Sequence, residues 1–125
     1  MENTVEKQLF EFTSRGYSHA MTPMNRWLED PSIRVYVRRG YRLLGEQSLG
    51  SRLATVLDIA NVEASARGQG RFTKFLDYVE RNEPFEGVFI ENVLDLRLAN
   101  FFLRRGYTDI KLHYLLPVSL YRLWR

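Results

Sequence analysis

The chain is organised around a glycine-rich turn, Val62–Phe72 (VEASARGQGRF), that joins an apolar segment to a helical one. Before the turn, Leu53–Val62 is mostly apolar, and only Thr55, Asp58 and Asn61 interrupt it, as in a strand that is covered on both faces. After the turn, apolar residues recur at helical spacing. A strand, a tight turn and a helix in direct succession predict a layered α/β arrangement in which the helix covers the sheet.

Two glycines and two arginines lie inside this turn. Gly68 and Gly70 let the backbone pass close to a ligand, because no Cβ shields their N–H groups. The first turn of the following helix adds unpaired N–H donors and the positive end of the helix dipole. Arg67 and Arg71 flank the glycines. The combination predicts an anion site, most naturally for a phosphate or a pyrophosphate.

A second stretch, Asp95–Tyr107, carries its own signals. Asp95 is placed to cap a helix, and we expect Leu98, Phe101 and Phe102 of that helix to face inward. Two arginines near its end complement the C-terminal dipole, and the glycine after them suits a left-handed position.

With these residues in this order, the chain resembles the GNAT superfamily of N-acetyltransferases. The run Arg67-x-x-Gly70 is similar to the acyl-CoA pyrophosphate loop of that family, and Asp95–Tyr107 is similar to its last helix, which ends in a Gly-aromatic pair before a strand. The resemblance implies one α/β (α+β) domain over residues 1–125, with a mixed central sheet flanked by helices and abbreviated N-terminal strands. It also implies acetyl-CoA, or another acyl-CoA, as the cofactor. Compact members of this kind come from bacteria and their phages.

Composition bounds the function further. The chain has 125 residues, of which 45% are apolar and 26% charged, which suits one domain with its own core. No apolar run reaches the ~18 residues of a membrane span, and the N-terminus lacks the features of a signal peptide. The absence of cysteine excludes disulfides and thiolate catalysis and fits the cytoplasm. A net charge of +3 is compatible with phosphate-rich cofactors and with nucleic acid.

The first part of the chain predicts two helices and then a strand. We expect a helix over about Thr4–Ser14, with Asn3 and Glu6 as a capping box. A short second helix is expected over about Pro23–Glu29, with proline at its first position. Alternating residues predict a half-buried strand over Ser32–Arg38.

The rest of the chain predicts a strand–helix–strand core. Arg39-Gly40 should break the first strand, and Tyr41–Leu44 should either continue it with a bend or return as a hairpin. After a strand at Leu53–Val62 we expect a helix at Gly70–Arg81, a strand at Gly87–Glu91, a helix after Asp95, and then two strands in succession at Tyr107–Leu115 and Val118–Trp124, with a helix as the second choice for Val118–Trp124. This order implies a parallel central strand pair that is covered by helices, as in the GNAT fold.

The resemblance implies where the cofactor binds. In the family, two adjacent strands splay apart, and the pantetheine arm enters the gap and pairs with the end of the first strand. Here the amide of Val62 would polarise the thioester carbonyl, and the amides of the glycine turn would hold the pyrophosphate. Phe72 replaces a small residue of the family, so its ring could point into the core or crowd the cofactor. The implied cofactor ligands are Asn61, Val62, Glu63, Arg67, Gly68, Gln69, Gly70, Arg71, Phe72 and Asp95.

Acyl transfer to an amine requires a base, because a protonated amine has no lone pair with which to attack. The usual carboxylate of the family would fall near Ala54 or Val56, which cannot serve. Glu91, Glu63 and Asp58 are the substitutes. We prefer Glu91, because the carboxyl ends of strands open onto the ligand crevice.

The leaving thiolate needs an acid. The usual tyrosine of the family is Phe102 here, and Tyr107 and Tyr78 are the candidate replacements. Because the base and acid positions are both substituted, acyl-CoA binding has more support from the sequence than catalysis has.

Two other functions stay open at the level of sequence. The chain could be a catalytically degraded GNAT-fold domain that binds CoA or a protein partner. It could also be a basic nucleic-acid-binding domain, because basic and aromatic residues interleave along one strand pair. These residues are Arg34, Tyr36, Arg38, Arg39, Tyr41 and Arg42. The nucleic-acid hypothesis leaves the glycine turn unexplained, so we prefer the acyltransferase.

Other site types find no support in the spacing. His19 and His113 have no partner at metal-ligand spacing, so we expect no metal site. No Gly-Lys-Ser/Thr follows a glycine turn, which argues against a P-loop NTPase. We expect the acceptor to be an amine of a small molecule or a protein. The expected protein is not membrane-bound, and it could form a homodimer.

Overall fold

Three helices and six strands make up the described part of the chain. The structure is a computed structural model, and it describes residues 3–14, 25–45, 52–64, 70–81, 85–110 and 117–124. In chain order the elements are α1 (Val5–Ser14), β1 (Asn25–Asp30), β2 (Ile33–Leu44), β3 (Arg52–Ala64), α2 (Arg71–Arg81), β4 (Gly87–Val93), α3 (Leu96–Arg104), β5 (Thr108–Asp109) and β6 (Val118–Leu123).

The strands form one mixed sheet in the order β1-β2-β3-β4-β6-β5. Strands β3 and β4 are parallel, whereas the other recorded neighbours are antiparallel. The parallel pair needs a crossover, and α2 provides it. The predicted fold class, a mixed central sheet flanked by helices, is confirmed.

The main core lies on one face of the sheet, which we call the helix face. Buried residues of all three described helices join those of the strands in one cluster. Its fully buried members include Leu57, Phe75, Leu76 and Phe102. Removing this apolar area from water is the main term that holds the layers together. The opposite face carries a smaller cluster, consisting of Leu44, Ala54, Val56, Phe89 and Tyr121.

The predicted second helix, Pro23–Glu29, is wrong where the structure describes it, because β1 occupies Asn25–Asp30. Leu28 is fully buried while Trp27 is on the other face, which is the two-residue period of a strand. Strand β1 pairs with β2 through a tight turn, in which the Asp30 carboxylate accepts a bond of 2.8 Å from the Ser32 amide. Pairing across this hairpin outweighs the local helix signal.

Strand β2 also runs further than predicted. It continues through Arg39-Gly40 to Leu44, because β3 pairs with it along its length, including Gly40 against Val56. Of the two alternatives for Tyr41–Leu44, the continued strand is therefore correct.

Two local expectations change. Helix α1 is capped by Thr4, whose hydroxyl accepts a first-turn amide bond of 3.2 Å, and not by the Asn3–Glu6 box. On α3, Leu98 is exposed, and Ala99 is the residue buried beside it.

The remaining elements follow the prediction. Strands β3, β4 and β6 and helices α1 and α2 lie where the patterns placed them. Asp95 caps α3, and Gly106 has the left-handed φ of +96° that the position after a helix favours. Of the strand predicted over Tyr107–Leu115, the described part contains β5, and residues 111–116 lie outside the described ranges.

Candidate functional site

Strands β3 and β4 form a fork. Their parallel pairing runs from Val56–Gly87 to Ile59–Ile90, although β3 continues to Ala64 and β4 to Val93. Beyond the fork, β3 stays with β2 and β4 returns to β6. Both strands have a register irregularity at this point, and such bulges bend a strand away from its neighbour. The fork has the form of the gap that the GNAT resemblance implies.

Helix α2 is the next element after β3 and begins at Arg71, directly after Gly70. Gly70 has φ +70°, a conformation that residues with a side chain rarely adopt, and its carbonyl accepts the Lys74 amide at 2.9 Å. The first-turn amides of α2 are therefore the expected anion donors. Arg67, Gly68 and Gln69 lie outside the described residues, so their predicted role stays a prediction.

The Arg71 guanidinium is tied to other parts of the protein. It donates two bonds to the Glu6 carboxylate, at 2.7 and 2.8 Å, one to Asp30 at 3.0 Å and one to the Ser32 hydroxyl at 2.8 Å. Its side chain is only 13% exposed. The bonds to Glu6 raise the pKa of Arg71 against the lowering effect of burial. We call this group the Arg71 clamp. It leaves the backbone amide of Arg71, rather than its side chain, to serve the predicted pyrophosphate site.

A cavity of about 610 Å³ lies next to the clamp. The start of α1, the β1–β2 turn and Lys74 of α2 line it, together with Asp30 and Arg71. Neither Asp58 nor Glu91 is in its lining, so the cavity is separate from the carboxylates at the fork.

Phe72 points into the core. Its ring meets the ring of Phe102 edge-on, with centroids 5.9 Å apart and an interplanar angle of 84°. It also packs against the helix-face cluster. Of the two alternatives for this ring, the inward one is correct, and the ring does not crowd the start of α2.

The other implied ligands have diverse surroundings. Asn61 and Glu63 are exposed, and Val62 packs partly against the helix-face core. Glu63 lies 3.6 Å from Arg34, but both side chains are more than a third exposed, so this pair contributes little to stability. Asp95 is exposed, and its carboxylate accepts the Arg97 amide at 2.8 Å.

Four charged side chains meet at the fork, on the face opposite the helices. Arg42 Nη2 lies 2.7 Å from Asp58 Oδ2 and 2.9 Å from Glu91 Oε1. Arg38 also donates to Glu91, and its Nε lies 4.0 Å from Asp58. The carboxylate side chains are 10% and 16% exposed, whereas those of Arg38 and Arg42 are 41% and 32% exposed. We call these four residues the charge quartet.

Strand register explains the charge quartet. Arg38 is directly opposite Asp58 across β2 and β3, and Asp58 is beside Phe89 on β4. Alternation along each strand puts Arg42 and Glu91 on that same face. The Arg42 guanidinium also lies over the Phe89 ring, 3.8 Å from its centroid. The sequence proposed Asp58 and Glu91 separately. It missed the two arginines as their partners, although the four-residue spacing of Arg38 and Arg42 was a usable signal.

The candidate acids lie away from the charge quartet. Tyr107 is buried in the helix-face core and donates to Glu80 at 2.9 Å. Burial raises the pKa of Tyr107, and the nearby Glu80 charge raises it further. Burial also raises the pKa of Tyr78, which packs against the same core. Both tyrosines therefore lie on the helix face, whereas the charge quartet lies on the opposite face.

The interleaved basic row does not form a free cationic stripe. Arg34 lies 3.7 Å from the Trp27 ring centroid and faces Glu63, and the charge quartet engages Arg38 and Arg42. Arg39 is buried on the other face and donates to the Phe12 carbonyl at 3.3 Å. A backbone-gripping surface needs accessible, unpaired cations, so the geometry does not favour the nucleic-acid hypothesis.

Comparison with known proteins gives one informative likeness. No protein-family model and no curated protein matches the chain. Among solved structures, it is similar to a tyrosine-to-phenylalanine mutant of KacT, with 15% identity, a TM-score of 0.56, and coverage of 94% of this chain and 75% of that one. The fold is GNAT-like. At this identity the likeness shows the fold alone.

The sequence predicted neither a membrane span nor a metal site. No helix in the described ranges is long and apolar enough to cross a membrane. His19 and His113 both lie outside those ranges, so the expectation about metal binding stays a prediction.

Proposed function

We propose that this chain is an N-acetyltransferase that moves an acetyl group from acetyl-CoA, or another acyl group from its CoA ester, to an amine of a small molecule or a protein. A base first takes one proton from the ammonium group of the acceptor. The amine nitrogen then attacks the thioester carbon in a ternary complex, and the carbon–sulfur bond breaks. The second proton leaves the nitrogen, and the CoA thiolate takes up a proton, so that one proton is released overall.

The observation that carries the proposal is the fork. Pairing of β3 with β4 stops at Ile59 and Ile90, α2 is the next element after β3 in the chain, and Glu91 directly follows the last paired residue of β4. A pantetheine arm in this gap would bring its thioester to the carboxylates and its diphosphate to the start of α2. The GNAT-like fold supports acyl transfer at this coarse level.

Backbone amides have the leading role in this proposal. The Val62 amide would polarise the thioester carbonyl, and one such fixed donor supplies about 3–4 kcal/mol of transition-state stabilisation. The amides of Gly70 and the first turn of α2 would hold the pyrophosphate. Arg71 supports this turn through its clamp, and Phe72 supports it through its contact with the core.

Glu91 is the preferred base. It adjoins the last paired residue of β4, its side chain is 16% exposed, and Asp58 shares its guanidinium partners. Glu63 lies beyond the fork, is more than half exposed, and is the weaker candidate. Because Tyr107 and Tyr78 belong to the helix face, we assign the final protonation of the thiolate to water.

The pyrophosphate site is tested by two isosteric substitutions, Gly70→Asp and Gly70→Asn. Asn and Asp both tolerate the left-handed backbone, and an added Cβ meets nothing within 4 Å there. The charge of Asp should weaken CoA binding by about tenfold or more relative to Asn, since it faces a diphosphate. Isothermal titration with CoA measures this, and acetyl-pantetheine, which has no diphosphate, is the matched control. Equal CoA affinities for the two variants would refute the phosphate assignment.

The base is tested by Glu91→Gln. We expect turnover to fall by about 10²–10⁴-fold while acetyl-CoA affinity stays unchanged, since general-base catalysis contributes a factor of that size. Acetyl transfer to an amine panel, followed by mass spectrometry, gives the rate. The matched control is Glu63→Gln, which should retain activity. Equal activity of wild type and Glu91→Gln would remove Glu91 from the chemistry.

A second candidate function is CoA binding without turnover. It is favoured by the charge quartet, in which both carboxylates already accept guanidinium bonds. CoA binding with no acetyl transfer by the wild type, across the same panel, would select this function.

A further inference from the structure

The charge quartet contains two carboxylates and two guanidinium groups in one connected set. A base for amine acylation needs only one carboxylate, so the arginines call for a separate explanation. We propose that the charge quartet binds an acceptor that carries both an ammonium and a carboxylate group, such as a free α-amino acid. The ammonium would meet Asp58 and Glu91, and the carboxylate of the ligand would meet Arg38 and Arg42.

Charge balance supports a ligand with both groups. In the free protein the two positive and two negative side chains compensate each other. A simple amine would pair with the two carboxylates and leave two guanidinium groups unpaired. A simple acid would pair with the guanidinium groups and leave the two carboxylates unpaired. Leaving one member of a partly buried ion pair without a partner is costly. A ligand that carries both charges, an ampholyte, replaces ion pairs within the protein by ion pairs between protein and ligand, so that no charge is left uncompensated.

Depth supports the same orientation. The carboxylates are the more buried members, at 10% and 16% exposed, and the arginines are the more exposed, at 41% and 32%. A ligand would therefore direct its ammonium inward, toward the fork, and keep its carboxylate nearer to solvent. Arg38 Nε is buried and has no hydrogen-bond partner in the described residues, so the charge quartet leaves one guanidinium donor unsatisfied.

Arg42 already mimics the ammonium. A single nitrogen, Nη2, contacts both Asp58 and Glu91 at 2.7 and 2.9 Å, as one ammonium nitrogen could. When a ligand takes that position, Arg42 becomes available for the ligand carboxylate. Stacking on Phe89 keeps the guanidinium nearby during this exchange.

Binding of the amino acid does not depend on the proposed function, and only the acyl transfer that follows binding rests on it. Binding to the charge quartet is measured without CoA, by NMR titration of the full chain with each of the twenty common amino acids. The best binder is then compared with its decarboxylated amine and with its deaminated acid. We expect the amino acid to bind about tenfold or more tightly than either analogue, because each analogue loses one charge-assisted interaction. Equal affinity for the amine or the acid, or no binding by any amino acid, would overturn the proposal.

The Arg38→Gln variant tests the role of the arginines. Arg42 still bridges both carboxylates in this variant, so we expect it to fold. Affinity for the amino acid should fall by about tenfold and affinity for the amine analogue by less than about twofold. The control is Arg34→Gln, on the same strand and face but outside the charge quartet, which should change neither affinity. An equal loss for both ligands in Arg38→Gln would refute carboxylate recognition.

Acetyl-CoA binding is measured in parallel. Amino-acid binding without acetyl-CoA binding would remove the proposed function and leave the ampholyte site in place. Acetylation of simple amines as fast as of amino acids would remove the ampholyte site and leave the proposed function in place.

Discussion

Replacing Arg71 by methionine should strongly destabilise the protein. The substitution keeps a long side chain in place of the apolar stem of arginine but removes the guanidinium group. It leaves the carboxylates of Glu6 and Asp30, whose side chains are 13% and 7% exposed, without their cation. Breaking a buried ion pair from one side costs about 3–5 kcal/mol. At about 3–5 °C per kcal/mol for a chain of this length, the melting temperature should fall by about 10–25 °C.

Most of this loss should come through Glu6. Asp30 keeps other donors, because the Ser32 amide and hydroxyl and the Val5 amide also bond to it. Glu6 receives two bonds from Arg71. The double variant Glu6→Leu with Arg71→Met removes the Glu6 charge that Arg71→Met alone leaves uncompensated, so it should be more stable than the sum of the single losses by about 1–3 kcal/mol.

The assay is urea unfolding followed by circular dichroism, with differential scanning fluorimetry as the second readout. The control is Arg81→Met, the same substitution at an exposed position of the same helix, which should stay within about 0.5 kcal/mol of wild type. If Arg71→Met also lies within about 1 kcal/mol of wild type, the clamp does not hold α1, β1 and α2 together, and the reasoning fails.

The clamp also predicts an acid dependence. Burial raises the pKa of Asp30, but hydrogen bonds from Ser32, Val5 and Arg71 outweigh it, and the net pKa is well below the ordinary value of 3.8. A depressed carboxyl pKa stabilises the fold above the unfolded-state value, and this stabilisation is lost as the pH falls below about 4. Wild type should therefore lose stability from about pH 4 downward, and the stability deficit of Arg71→Met relative to wild type should shrink there. If the stability deficit of Arg71→Met relative to wild type grew as the pH fell, the predicted direction of the pH dependence would be wrong.

Two further predictions concern a close backbone contact of β4 and a buried hydrogen bond to α2. Gly87→Ala should cost about 1–3 kcal/mol or more, because its Cβ would lie 2.5 Å from a carbonyl oxygen of β6, whereas Gly40→Ala has open space and should change stability by less than about 1 kcal/mol; equal urea midpoints would contradict this contrast. Tyr107→Phe should cost about 1–3 kcal/mol, since it removes a buried bond to a carboxylate, and should leave the acetyl-transfer rate unchanged; a lower rate in the folded variant would return Tyr107 to the candidate acids.

Local patterns were sufficient to predict the strand before the glycine-rich turn, the helix that begins after Gly70 and the Asp95 cap. These features depend on neighbouring residues, through apolar periodicity and capping. The parallel strand pair followed from the strand–helix–strand order. The short segment before Pro31 was mispredicted because its few apolar residues suit a helix or a strand equally, and the β1–β2 pairing decided between them.

The contacts of the charged side chains could not be predicted in this way. Next to the glycines, Arg71 looked like a phosphate ligand, but its partners Glu6 and Asp30 are 65 and 41 residues away in sequence. Asp58 and Glu91 were each proposed as a base, and only the register of three adjacent strands placed both beside Arg38 and Arg42. A charge interacts most strongly with the groups that lie within a few ångströms of it, and folding, rather than proximity in sequence, selects those neighbours.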